Sequence, residues 1–181
     1  MRALHLPANP GHIAAMTMPA TRTVALICAL AAAFALGLAL ASEYWGGLVP
    51  CALCQLERWP YRVAIVLALL AIAVPPAIAR PLLLLVVLSM LVAVALAVIH
   101  VGVEQRVWSS PLPECAAPRF SGGSIAARLA QMPARPAKPC EDATYLVPGL
   151  PVSMAAMNLL FALAFALALS AFLWRDRRGT P

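Results

Sequence analysis

The sequence predicts an all-α integral membrane protein, a four-transmembrane-helix bundle with two outward-facing loops. Composition is the first ground. Of the 181 residues, 63% are hydrophobic and 11% charged, and the mean hydropathy is +0.88. Soluble domains lie near half apolar and about a quarter charged. The second ground is four apolar runs, at about residues 24–41, 63–79, 82–101 and 152–174. Each suits a hydrocarbon core of ~30 Å, which takes roughly 17–25 helical residues. The third is that the stretches between the runs are short or rich in proline, which argues against a separate soluble domain. The formal charge of +6 is modest, and the arginines flank the apolar runs. They form no basic stripe with interleaved aromatics, which argues against a nucleic-acid partner.

Residues 1–22 carry no pattern and read as a disordered cytoplasmic tail. A membrane domain over 23–175 follows, and 176–181 read as a second cytoplasmic tail. The first run, Val24–Ala41, has Arg22 before it and Ala39-Leu40-Ala41 at its end, the outline of a cleavable signal peptide. Its apolar stretch exceeds the ~7–15 residues of a signal core, so it reads as a retained span. Only Arg80-Pro81 separates Val63–Ala79 from Leu82–Val101, which predicts a tight helical hairpin. Pro75-Pro76 kink or end the second span and help make that turn. These first three runs contain no Asp, Glu, Lys or Arg. The fourth, Val152–Trp174, ends at Trp174-Arg175-Asp176-Arg177-Arg178, an aromatic interface anchor followed by a basic stop. The abundance of Leu, Ala and Val suits lipid contact and close helix packing.

Four spans put both termini and the Arg80 turn on one side, and segments 42–62 and 102–151 on the other. Positive charge does not orient the bundle. Arg2, Arg22, Arg80, Arg175, Arg177 and Arg178 face Arg58, Arg62, Arg106, Arg119, Arg128, Arg135 and Lys138, six against seven. The cysteines do. Cys51, Cys54, Cys115 and Cys140 all lie in the two loops that share a side. Disulfides persist on the oxidising face of a membrane, so these loops are expected in the periplasm and the termini in the cytoplasm. Cys28, inside the first span, reads as an inert apolar filler.

Three readings compete for the four loop cysteines: structural disulfides, a tetrahedral Cys₄ zinc site, and redox chemistry. Zinc is the weakest, because Cys115 and Cys140 do not form a second closely spaced pair. The Cys51-x-x-Cys54 pair is a poor staple, since closing so short a loop removes little entropy from the unfolded chain. It is a good electron switch, because one thiol lowers the pKa of the other. Pro50 suits a helix start, which puts Cys51 in a first turn where the helix dipole favours a thiolate. If that helix continues, Cys54, Arg58 and Arg62 fall on one face. Snorkelling is the plain reading of the two arginines. The functional one is a cation beside a thiolate, stabilising negative charge on a reducible carbonyl compound. Pro60 breaks one helical hydrogen bond and marks a possible true start of the span. His100, near the outer end of the third span, reads equally as a polar anchor or a ligand contact. In 124–132, SIAARLAQM places Ile125, Leu129 and Met132 on one face with Arg128 off it, either a short surface helix or a loop turn.

These residues resemble a known family. GGLVPCALCQLERWPYR before the second span, IHVGVEQ ending the third and CEDATYLVPGL before the fourth are similar to the bacterial disulfide bond formation protein B family, DsbB. The resemblance covers about residues 22–175, and the proline-rich stretch 116–139 matches poorly. It implies an inner-membrane oxidoreductase that reoxidises a thioredoxin-like periplasmic oxidant, DsbA, and passes the electrons to a membrane quinone, ubiquinone or menaquinone. That relay is an established example of how the periplasm is kept oxidising, not something read from these residues. Carried over by motif, Cys51–Cys54 is the quinone-proximal disulfide and Cys115–Cys140 the loop disulfide that meets the partner. Arg58 matches the quinone-site arginine, with Glu57 beside it and His100 as a further contact. No metal is implied.

Two rivals remain. One is a structural four-span protein whose disulfides only staple its loops. The other is a thiol oxidoreductase resembling the vitamin K epoxide reductase family. There the Cys-x-x-C follows the loop cysteines, the reverse of the order here.

Overall fold

The computed structural model describes residues 18–115, 124–130, 138–147 and 149–178. Among these there is no strand. Four long helices dominate: α1 (Met18–Tyr44), α2 (Ala52–Ala73), α3 (Pro76–Glu104) and α5 (Met154–Arg178). A 3-10 turn (Pro113–Cys115) and the short α4 (Ile125–Ala130) lie between α3 and α5. α1 begins at Met18, ahead of its apolar run, and α5 runs to Arg178, past the end of its own. Residues 1–17, 116–123, 131–137, 148 and 179–181 lie outside the described residues, and with them most of the N-terminal tail, the proline-rich loop centre and Met132.

α2 and α3 are the central pair, with α1 packed on α2 and α5 on α3. Alanine stripes make this close approach possible: Ala25, Ala29 and Ala32 on α1, and Ala64, Ala68 and Ala71 on α2, are all buried. Small residues let helix backbones approach where lipid supplies no hydrophobic drive. Leucines such as Leu26, Leu69, Leu88 and Leu167 stay exposed on the outer surface, as lipid contact requires. Among the described helices α1, α3 and α5 are long and apolar enough to cross a membrane. α2 differs because Glu57, Arg58 and Arg62 crowd its first half.

The hairpin lies elsewhere than expected. α2 ends at Ala73, Val74 is its C-cap and Pro75 the N-cap of α3, with Pro76 in the first helical position. Proline is preorganised there, because its missing N–H has no intrahelical partner in any case. Arg80 and Pro81 are thus inside α3, and Arg80 pairs with Asp176 near the end of α5 at 3.4 Å. Pro60 does not restart α2, which runs through it, and Ser89 on α3 donates to the Pro60 carbonyl at 2.8 Å.

The end of α3 is set by a backbone motif. Val107 N donates to Gly102 O at 2.9 Å and Arg106 N to Val103 O at 3.0 Å, with Arg106 in the left-handed region at φ 59°. This is the paired bonding of a Schellman cap. It folds Trp108 back so that its Nε1 donates to Ile99 O at 3.0 Å. Its ring lies where a side chain on residue 102 would be: a Cβ there would meet Trp108 Cζ2 at 2.0 Å. The connection returning to α5 is pinned in turn. Lys138 Nζ donates to Thr144 Oγ1 at 2.5 Å, Met154 N to Thr144 O at 2.8 Å, and Ser153 Oγ to Glu104 Oε2 at 2.5 Å. Ser153 also caps α5 by accepting from Ala156 N at 3.2 Å.

α4 forms as a short helix with Ile125 and Leu129 exposed.

Candidate functional site

The segment read as the first outer loop is mostly helical, so that the connection from α1 to α2 is only residues 45–51. Gly47, at φ 66°, permits its turn. This brings Cys51 to the head of α2, but not into its first turn. It is the N-cap, in extended conformation, and its sulfur accepts from Cys54 N at 3.2 Å. Sulfur here takes the place of the usual cap oxygen. Cys51 and Cys54 stand as free thiols with their Sγ atoms 3.0 Å apart.

The Cys54 side-chain hydrogen bond holds the Cys51 thiol below its ordinary range. Burial opposes this and is outweighed, and the Cys54 backbone N–H adds to the lowering. Cys51 therefore gives up its proton more readily than an ordinary thiol.

Behind the pair lies a buried polar chain. His100 Nε2 is 3.4 Å from Cys51 Sγ, and His100 Nδ1 is 2.9 Å from Glu57 Oε1. A carboxylate accepts only, so Nδ1 carries a proton and Nε2 is left to face the sulfur. Asn158 on α5 donates to Glu57 Oε2 at 3.1 Å, and Tyr61 donates to Asn158 Oδ1 at 2.5 Å. Glu57 and His100 are only 7% and 3% exposed. Ligand atoms of Cys51, Cys54 and His100 lie within 4.8 Å of one another.

Arg58 and Arg62 part company. Arg62 is exposed and stacks over Trp59 at 5.0 Å. Arg58 does not snorkel; it is buried and paired with Glu43 of α1 at 2.6 Å. Its Nε is buried with no hydrogen-bond partner. A cavity of about 320 Å³ opens here between α1, α2 and α5. Cys54, Glu57, Arg58 and His100 line it together with apolar residues such as Phe34, Leu38 and Phe161. A mostly apolar pocket with a few convergent polar groups is the usual form of a small-molecule site.

Cys115 and Cys140 are bonded to each other, so the four-cysteine zinc arrangement is not built. Their disulfide packs with Cys51, Leu53 and Val103 in one buried apolar cluster, and Cys140 N donates to Cys115 O at 3.2 Å. The second cysteine pair is thus docked on the head of α2, beside the first. Cys28 is buried in the helix core, apart from this site.

Sequence reasoning missed Glu43, Tyr61 and Asn158. Asn158 had a signal, a lone polar side chain in the apolar stretch MAAMNLLF, since such residues face the bundle interior. Glu43 had none, because its pairing with Arg58 depends on how α1 lies along α2.

No curated protein and no solved structure matches the chain at a significant level. A family model, disulfide bond formation protein DsbB, matches residues 21–172. Membership implies a multi-pass inner-membrane protein with thiol oxidoreductase activity that generates disulfides. The chain belongs to the DsbB family.

Proposed function

We propose that this protein is a protein-dithiol:quinone oxidoreductase that reoxidises a DsbA-like, thioredoxin-fold periplasmic oxidant. In this reading α2 is the fourth membrane span, the cysteine loops face the periplasm and both termini are cytoplasmic. The observation that carries the reading is the placing of Cys54 and the buried Arg58, with its unpartnered Nε, in the lining of an apolar cavity. That pocket fits a quinone headgroup, with Arg58 and His100 as the polar groups that hold its oxygens and Glu57 fixing His100. A bound quinone supplies a two-electron, two-proton acceptor.

The residues divide the work. A thiolate of the reduced partner attacks Cys115 of the Cys115–Cys140 disulfide, giving a mixed disulfide and freeing Cys140. The partner's second thiol resolves it and leaves as the oxidised partner. Cys140, already packed beside Cys51, attacks Cys51 of the oxidised Cys51–Cys54 pair and releases Cys54 as a thiolate at the cavity wall. Each step is thiolate attack on a disulfide sulfur. Exchange of Cys115 onto the Cys140–Cys51 bond then restores the loop disulfide and leaves Cys51 and Cys54 reduced. Arg58 holds positive charge where negative charge gathers. Glu57 keeps His100 in one tautomer with a nitrogen toward the sulfurs.

The test mixes the purified protein in detergent with ubiquinone-1 or a menaquinone analogue and a reduced DsbA-like protein, and follows quinone absorbance. Turnover by the wild type and none by Cys54→Ser is expected. A wild type that leaves both quinones oxidised, with the partner still reduced, overturns the proposal in favour of stapling disulfides.

A further inference from the structure

The reduced site has the donors of a metal centre. Two cysteine sulfurs and one imidazole nitrogen converge, and the opposite imidazole nitrogen is held by a carboxylate at 2.9 Å. In metal sites that outer carboxylate fixes the ring and raises the basicity of the ligating nitrogen. We propose that the dithiol form binds one thiophilic d¹⁰ cation, Zn²⁺, through Cys51 Sγ, Cys54 Sγ and His100 Nε2, and that this holds the protein in its reduced state.

The distances suit the ion after a small adjustment. Zn–S bonds of about 2.3 Å and a Zn–N bond of about 2.0–2.1 Å at tetrahedral angles put donor atoms roughly 3.5–3.8 Å apart. The observed Cys51 Sγ to His100 Nε2 distance is 3.4 Å. The two sulfurs, at 3.0 Å, must separate by less than an ångström. Cys54 is only partly buried and lines the cavity, so rotation of its side chain has room. The cavity also gives a fourth position to water, leaving three protein ligands and one open site.

Charge favours the same ion. Two thiolates and one divalent cation sum to zero in a pocket where bare thiolates are costly. Arg58 is already paired with Glu43, while Glu57, held by His100 Nδ1 and Asn158, leaves one further negative charge beside the ligating ring. Binding displaces to solvent whatever protons the two sulfurs still carry and changes no oxidation state. Oxidation of the pair to a disulfide removes both thiolate ligands and must expel the ion, so bound zinc and the disulfide exclude each other. The binding itself does not rest on the quinone reading; only its consequence for turnover does.

The experiment uses the full chain in detergent with Cys115→Ser and Cys140→Ser, which keeps the loop thiols from binding metal after reduction. Zn²⁺ is titrated against a competing chromophoric chelator, with the Cys51–Cys54 pair reduced and, separately, oxidised. One Zn²⁺ per reduced chain and none per oxidised chain is expected, with bound metal protecting both thiols from iodoacetamide. Glu57→Gln should weaken binding by roughly 10–100-fold, and His100→Ala by at least as much. The oxidised and reduced samples are the same polypeptide, and wild-type helix content by circular dichroism checks that the loop variant keeps the fold in which His100 reaches the thiols.

Equal binding by the oxidised form, or none by the reduced form, overturns the proposal. So does unchanged affinity in both His100→Ala and His100→Gln, which would leave a bare two-thiol chelate. In the wild type, Zn²⁺ should slow quinone reduction, with recovery on adding EDTA. Zinc binding without any quinone reduction would sink the function proposed above and leave the metal site standing.

Discussion

Glu57 accepts the Nδ1–H of His100 at 2.9 Å, and the opposite edge of the same ring faces Cys51 Sγ at 3.4 Å. The three side chains come from the head of α2 and the far end of α3, so the α2–α3 hairpin sets their meeting. Glu57 takes two donors, His100 through one oxygen and Asn158 through the other. Its charge is therefore spread over two hydrogen bonds within the bundle.

Glu57→Gln is the sharpest probe of that arrangement. A glutamine has one acceptor oxygen and one donor nitrogen, so either His100 or Asn158 must lose its partner or turn away. Hydrogen bonds to charged groups contribute about 1.5–3 kcal/mol, and about 1.4 kcal/mol is tenfold in rate. Partner-dependent quinone reduction should fall roughly 10–100-fold while helix content by circular dichroism stays at the wild-type level. An unchanged rate would remove Glu57 from the site.

Arg58 makes a different prediction, because one guanidinium serves two ends. Nη1 is engaged by Glu43, whereas Nε is buried without a partner beside the cavity. Lysine keeps the charge but presents a single nitrogen, so Arg58→Lys satisfies Glu43 at the expense of the cavity. KM for quinone should rise about tenfold or more, with a smaller change in kcat at saturation. A lower Tm with KM unchanged would make Arg58 a structural ion pair only.

What the sequence made legible follows physical lines. The apolar runs declare α1, α3 and α5 because bilayer thickness fixes their length. Cys51, Cys54, Glu57 and Arg58 are legible as a cluster because they lie on one stretch of helix. The hairpin was misplaced by a few residues, because the charge of Arg80 suggests a turn when it lies within α3 and pairs with Asp176. Pro75-Pro76 mark the true break. Docking of Cys115–Cys140 on Cys51, and the Arg58–Glu43 pair, are long-range packing outcomes that no local pattern encodes.

The motif IHVGVEQ contains a packing requirement as well as His100. Gly102 touches the Trp108 indole so closely that a Cβ has no space. Gly102→Ala should expel Trp108, break its bond to Ile99 O and lower stability by about 1–3 kcal/mol. Tryptophan emission should shift toward the exposed form. Trp108→Ala should make the second change nearly free, a non-additive cycle expected of residues in contact. Additive effects would mean that Gly102 is needed for some other reason.

Cys51 gives the pH dependence. The Cys54 hydrogen bond lowers its pKa against the opposing effect of burial. A lowered pKa keeps the reactive thiolate populated below the ordinary cysteine value of about 8.5, and reactivity is lost only as pH falls through the shifted value. In the metal-free, reduced protein, iodoacetamide labelling of the Cys51 peptide, followed by mass spectrometry, should therefore have its midpoint below that of an ordinary exposed cysteine measured in the same way. Cys54→Ala removes the side-chain bond, the largest cause, and leaves burial and the Glu57 charge opposed only by the backbone N–H groups of Cys54 and Leu53, so the midpoint should move up. A wild-type midpoint at or above the ordinary value, or one that Cys54→Ala leaves in place, would mean that the Cys54 thiol does not lower the Cys51 pKa.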